Sequence, residues 1–322
     1  SSVAVNDGTF TLGSAFNTYT GTTAINKGTL SAADLSVTAG ASSLGNAASA
    51  ITLGNATDVG TLLYTGNTDT ANRPIVLGAL AASATGNTIH VANAATDLTL
   101  SGVISGGAPN AAGNTSLTIA GAGRTIPTGT NTFTGNVVVD GSRLSVNADQ
   151  RLGSTPVGVN KTVTIQNGAT LFITGNYDPG NNTTTTDKRL VVGTGGGTVD
   201  VGTGFTYTLN DAGQLSGTGQ LTKAGAGQIT LGNQYTQSGG IVLNAGTIAL
   251  TAGSTLTTAR WSSPAAPTVP AKTTTTSPAR ASACARSASC WRNRAWPSAP
   301  TPSSARGWSI RPFPSSPTSA AP

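Results

Sequence analysis

Every acid in this chain is an aspartate, eleven in all, so any acid-base chemistry must be built from them. Polysaccharide-active enzymes hold two carboxyl groups within about 10 Å of each other. No Asp-Asp or Asp-x-Asp occurs here, and the closest pairs, Asp140 with Asp149 and Asp178 with Asp187, are nine residues apart. Stacked coils could bring distant aspartates together, but Asp7-Gly8 and Asp140-Gly141 read first as turn caps. His90 is the only histidine, in Thr88-Ile-His-Val91, and no motif marks a serine and an acid to serve it. It reads as an outward position on a strand.

Gly195-Gly-Gly-Thr-Val-Asp200 approximates the calcium nonapeptide, but Thr198 replaces a required glycine and no second copy stacks beside it, so it reads as a turn before a strand. Cys284 and Cys290 lack the further ligands of a zinc site. Trp291-Arg-Asn-Arg-Ala-Trp296 has the cations and indoles of a nucleic-acid or membrane patch, without a helix to organise them. The glycine-rich segments lack the Lys-Ser/Thr ending of a phosphate loop. Asn55, Asn114, Asn160, Asn181 and Asn182 head sequons of the kind chance supplies in an Asn/Thr-rich chain. No catalytic, cofactor-binding or metal-ligating residue is assigned, and no cofactor, nucleic acid or small-molecule substrate is expected.

The elements that would position such residues are strands. Only 9% of residues are charged and 5% aromatic, there is no Glu or Met, and 42 glycines supply turns. Helix formers are scarce while Thr, Val and Ile are common, which points to an all-β chain. Without Met, Ser1 is expected to be a fragment boundary or a processed end, so a leader cannot be judged. No apolar run approaches the roughly 20 residues of a membrane helix.

The net charge of +6 hides two compositions. Residues 1–259 carry nine Lys and Arg against eleven Asp, whereas residues 260–322 carry eight basic groups and no acid. Both cysteines, all four tryptophans and eleven of the sixteen prolines fall after that boundary. An Ala/Arg/Pro/Ser/Trp/Cys mixture is what a GC-rich gene yields out of frame; the other reading is a disordered basic linker. Domain organisation is therefore a body, 1–259, and a tail, 260–322.

The body repeats itself. Asn17-Thr-Tyr19-Thr-Gly21 recurs as Asn131-Thr-Phe133-Thr-Gly135 and, more loosely, as Asn233-Gln-Tyr235-Thr-Gln-Ser-Gly239. Each is followed by a turn and strand: Asn26-Lys-Gly28-Thr-Leu30, Asp140-Gly141-Ser-Arg-Leu144 and Asn244-Ala-Gly246-Thr-Ile248. Between copies, Leu44-Gly45-Asn46 matches Leu152-Gly153-Ser154, Thr61-Leu-Leu-Tyr-Thr-Gly66 matches Thr170-Leu-Phe-Ile-Thr-Gly175, and Arg73 is paired with Arg189. The module is about 110 residues, with copies near 8–30, 117–144 and 221–248. Arg124 and Pro127 are expected to break the strand of the middle copy.

Within a module, Val163/Ile165 and Leu171/Ile173 alternate with polar or outward residues around the turn Gln166-Asn-Gly168. That period of two buries one face of each strand. Ten Phe and Tyr are too few for sandwich faces over 259 residues, whereas a solenoid needs only small aliphatics inside and like residues stacked outside. Rungs of about 20 residues would give roughly a dozen coils, and a rod of about 55–60 Å at ~4.8 Å per rung. Thr and Asn are read as ladders along the stack.

Leu221-Thr-Lys-Ala-Gly-Ala-Gly227-Gln-Ile-Thr-Leu231-Gly-Asn233-Gln-Tyr235, continued by Gly239-Gly240 and Asn244-Ala-Gly246-Thr, resembles the autotransporter-associated β-strand repeat, also called the passenger-associated transport repeat. Gly8-Thr-Phe-Thr-Leu12 through Leu30 is more similar still. The resemblance implies a right-handed parallel β-helix in the passenger of a type V secreted protein of Gram-negative bacteria. It also implies a structural or adhesive role at the cell surface, host or matrix ligands, and repeats that assist folding and export. A translocator β-barrel is not recognisable in the 63-residue tail. The other readings are a β-helical polysaccharide lyase or hydrolase and a secreted repeat protein outside the autotransporters. Clustered Asp with Lys or Arg would favour the enzyme.

Overall fold

In a computed structural model the described residues are 1–14, 16–36, 42–79, 85–108, 114–155, 160–179, 188–232, 235–251 and the backbone of Ala259–Trp261. The tail beyond Trp261, with both cysteines and the Trp291–Trp296 segment, lies outside them.

Every strand pair named in a sheet is parallel, and the sheets run the length of the body. The broadest has ten strands, from Thr9–Leu12 and Gly28–Ala32 through Lys161–Gln166 and Lys188–Val192 to Thr236–Gln237. A nine-stranded sheet from Asp69–Ala71 to Ala259–Trp261 forms a second wall. A five-stranded sheet lines the N-terminal coils and a three-stranded one the C-terminal coils. Strands neighbouring in a sheet are successive coils in sequence, which makes the body a parallel β-helix. Among the described residues the only helical element is a 3-10 turn, Asp149–Leu152.

The alternation read in the sequence sets the core. Leu30, Leu62, Ile89, Ile119, Val139, Ile165 and Val192 are cross-strand partners in one unbroken inward column. Each is 2% exposed or less, and each contributes about 1.5–3 kcal/mol by burial. One residue earlier on the same strands lies the outward column: Thr29, Thr61, Thr88, Thr118, Val138, Thr164, Val191, Ser216 and Thr236. Asparagines ladder too, Asn26 Nδ2 donating to Asn6 Oδ1 at 2.8 Å. The turn at Asn167-Gly168 has both residues at positive φ (53° and 77°), the pairing that makes a tight β-turn between strands.

Three expectations need correction. One coil advances 20 residues, from Phe10 to Leu30, and the next 32, from Leu30 to Leu62. Long coils leave ten strands in the broadest sheet, or about 43 Å along the stack at ~4.8 Å per rung. Arg124–Pro127 is an intact strand: Arg124 faces outward to Asp97, and Pro127 pairs with Leu100 on the preceding coil. Pairing to the following coil ends at Thr125, two residues short of the proline, which has no N–H to donate. Finally, Gly60–Tyr64 belongs to the ten-stranded sheet and Ala169–Ile173 to the nine-stranded one. The likeness of Thr61–Gly66 to Thr170–Gly175 is therefore one of strand pattern, because a period of two ending in Gly suits any corner.

Candidate functional site

The Asn-x-aromatic signature folds into a clamp. Its asparagine closes on the carbonyls of a later loop, and its aromatic carbonyl receives that loop's returning amide. In the first copy, Asn17 N donates to Ser42 O at 3.1 Å and Asn17 Nδ2 to Ser43 O at 2.8 Å. Asn46 N returns to Tyr19 O at 2.8 Å. In the second, Asn131 N donates to Gln150 O at 3.0 Å and Nδ2 to Arg151 O at 2.8 Å, while Ser154 N returns to Phe133 O at 2.9 Å. Asn131 Oδ1 also accepts from Ile104 N at 2.8 Å, tying the clamp to the preceding coil. Gly45 and Gly153 hold the pinch at φ 70° and 78°, and a Cβ on either would lie 2.3 Å from the aromatic residue's carbonyl oxygen. Asn233 lies outside the described residues. Tyr235 of the third copy packs against the core.

A buried cation sits under each described clamp. Arg73, 2% exposed, donates to Leu44 O at 2.6 Å and Ser49 O at 2.8 Å. Burial lowers its pKa, against the opposing effect of Tyr19. Under the second clamp the cation is Lys161, fully buried, with Nζ 3.2 Å from Phe133 O and 3.8 Å from the centre of the Phe133 ring. The counterpart of Arg73 is thus Lys161 and not Arg189, whose guanidinium lies near Gly213.

Lys161 is the cross-strand partner of Lys188, 3% exposed. Lys188 Nζ reaches Asp149 Oδ2 at 2.5 Å. Burial, then the charge of Lys188, holds the Lys161 pKa well down, with Asp149 opposing. Burial also lowers Lys188, again with Asp149 opposing. Tyr177 stacks on Tyr207, centroids 5.2 Å apart and planes 6° from parallel. Burial raises both phenols, with Tyr207 and then Asp149 adding to the effect on Tyr177, and Asp149 and Asp178 to that on Tyr207. Outside this cluster opens a cleft of roughly 560 Å³, lined by Asp149, Asp178, Lys188, Gln150, Ser154 and Thr155 among others.

The structure re-pairs the aspartates. Asp140 accepts from Asn167 Nδ2 at 2.6 Å at an exposed turn. Asp149 instead shares the cleft with Asp178; Asp187 lies outside the described residues. His90 occupies an outward position between Leu63 and Ala120, and Gly195-Gly196 turn into the strand Gly197–Val201. Among the described residues no group of three or more His, Cys, Asp or Glu could hold a metal. The lysines escaped sequence reasoning, although their phase was visible: Lys161 alternates with Val163 and Ile165, and Lys188 with Leu190 and Val192, so both point inward. Asp149 could not be placed, because it rides on a 3-10 turn of no strand period.

The passenger-associated-transport-repeat family matches residues 5–32 and 221–250, the outer two of the three copies. The Adhesin BmaC autotransporter of Brucella suis biovar 1 (strain 1330) is 34% identical over 137 residues, which is 41% of this chain and 4% of that protein. No solved structure matches.

Proposed function

We propose that this chain, which carries passenger-associated transport repeats, is a stretch of the passenger of a type V secreted surface protein, acting outside the cell as an adhesive stalk. The observation that carries this reading is the placement of the matched repeats at both ends of one continuous stack. Each coil buries its aliphatic column on the one before, so folding can propagate through nearest-neighbour contacts as the chain emerges. The similarity to an autotransporter adhesin supports a binding role, with host or matrix surfaces as partners along the flat Thr/Val flank and no catalysis. Secretion of the passenger with and without residues 221–250 tests it. Deletion is expected to cut the surface-exposed fraction severalfold while leaving expression intact, and equal export would refute the role given to the repeats.

One observation favours a second reading. Asp149, Asp178 and Lys188 converge on a cleft of a size that accepts a small ligand, as a polysaccharide-active enzyme would require. Asp178→Asn would abolish polysaccharide cleavage on that reading and leave adhesion to host matrix unchanged on the first.

A further inference from the structure

We propose that Lys188 and Asp149 condense to an intramolecular amide, a covalent staple between the turn Asp149–Leu152 and the strand Lys188–Val192, 39 residues apart in sequence. Nothing in this depends on the adhesive reading.

Three features of the cluster point to it. The first is position: Nζ of Lys188 already touches the Asp149 carboxylate at 2.5 Å, and both partners are carried by ordered elements. Two groups held in contact react with effective molarities far above those in solution. The second is environment. Lys188 is 97% shielded with a second lysine as its cross-strand neighbour, and burial favours its neutral amine. An ion pair in such a place carries a desolvation cost for the buried ammonium, whereas the amide product is neutral. The third is a pair of groups with nothing else to do. Tyr177, 3% exposed, faces Asp149, and neither the Tyr177 hydroxyl nor Asp149 Oδ1 is committed to any other group among the described residues.

The step balances without any co-reactant. The proton of the Lys188 ammonium passes along the existing contact to the Asp149 carboxylate, giving an amine and a carboxylic acid. The nitrogen lone pair then attacks Cγ, forming the N–C bond and placing negative charge on Oδ1, where the Tyr177 hydroxyl can donate. The charge returns, the C–OH bond breaks, and hydroxyl and one amine proton leave together as water into the adjoining cleft, towards which Asp149 is 41% exposed. Both cysteines of the chain lie in the tail, so residues 1–259 contain no thiol from which a disulfide could serve the same end.

The mass of the full chain, measured after denaturation, is expected to be one water below that of its sequence. Tandem mass spectrometry of a protease digest should find the Asp149 and Lys188 peptides joined. Lys188→Arg should restore the full mass, and Tyr177→Phe should leave a mixture of linked and unlinked chains. A wild-type chain of full mass, with free Asp149 and Lys188 peptides, overturns the proposal. So does a water loss that persists in Lys188→Arg, since dehydration at Asp7-Gly8 or Asp140-Gly141 would produce that. The wild-type mass and digest decide the matter even where a variant fails to fold.

Discussion

Asn131→Ala is expected to cost about 3 kcal/mol, and Gly153→Val at least as much, because each opens the second clamp from a different side. Asn131 is 3% exposed and holds the amide of Ile104 and the carbonyl of Arg151. Truncation leaves the buried Ile104 amide and the partly buried Arg151 carbonyl without partners, at about 1–3 kcal/mol each with the amide at the upper end. At Gly153 the φ of 78° already excludes a β-branched residue, and the added Cβ would meet the Phe133 carbonyl oxygen, a backbone atom, at 2.3 Å. Strain of this kind costs about 1–3 kcal/mol before the clash is counted. Asn17→Ala at the first clamp is the internal control: Asn17 is only partly buried, so water can replace its bonds and the loss should stay near 1 kcal/mol. Urea unfolding followed by circular dichroism measures all three as shifts in midpoint at constant slope. Equal losses at Asn17 and Asn131 would show that the clamps do not differ as their burial says.

Those clamps also show how far the sequence could be read. Leu44-Gly45-Asn46 and Leu152-Gly153-Ser154 are equivalent in space because both fill the same steric slot, a positive-φ glycine under an aromatic carbonyl. A repeated constraint leaves a repeated residue, so the asparagines, aromatics and glycines could be matched by eye. The inward column was legible for the same reason, a period of two maintained by burial. What could not be read was anything set by a sum over coils. Whether Asp149 meets Asp140 or Asp178 depends on the lengths of the coils between them, and coil advances of 20 and 32 residues both preserve the alternation. Nor does strand pattern say which wall a strand joins, which is why Thr61–Gly66 and Thr170–Gly175 looked equivalent and are not. The matched cation was hidden by chemistry: Arg73 and Lys161 do one job with different side chains, and Arg189 resembled Arg73 in name alone.

Alkaline pH should stabilise this fold, and Lys161 is the reason. Its folded pKa is held well below the ordinary 10.5 by burial first and Lys188 second. Between the folded value and 10.5 the unfolded chain carries a proton there that the folded chain does not. Unfolding then takes up protons, so stability rises with pH through that window by up to ~1.4 kcal/mol per pH unit for each such lysine. Above 10.0 the sign reverses, because the folded pKa values of Tyr177 and Tyr207 are raised by burial and the unfolded chain loses those protons first. Stability should therefore peak near the crossover between lysine and tyrosine titration. Lys161→Met should lower the rising limb by one proton's worth of slope. Urea midpoints measured from pH 7 to pH 11 test this, and a wild-type profile with the same slope as that of Lys161→Met would show that folding does not lower the Lys161 pKa. The height of the limb carries further information. Lys223, lowered by burial with Asp200 opposing, adds to the uptake in either case; if Lys188 is free its lowered pKa adds a further proton, whereas a Lys188 consumed in an amide with Asp149 does not titrate. A wild-type slope unchanged by Lys188→Met is what a stapled cluster must give.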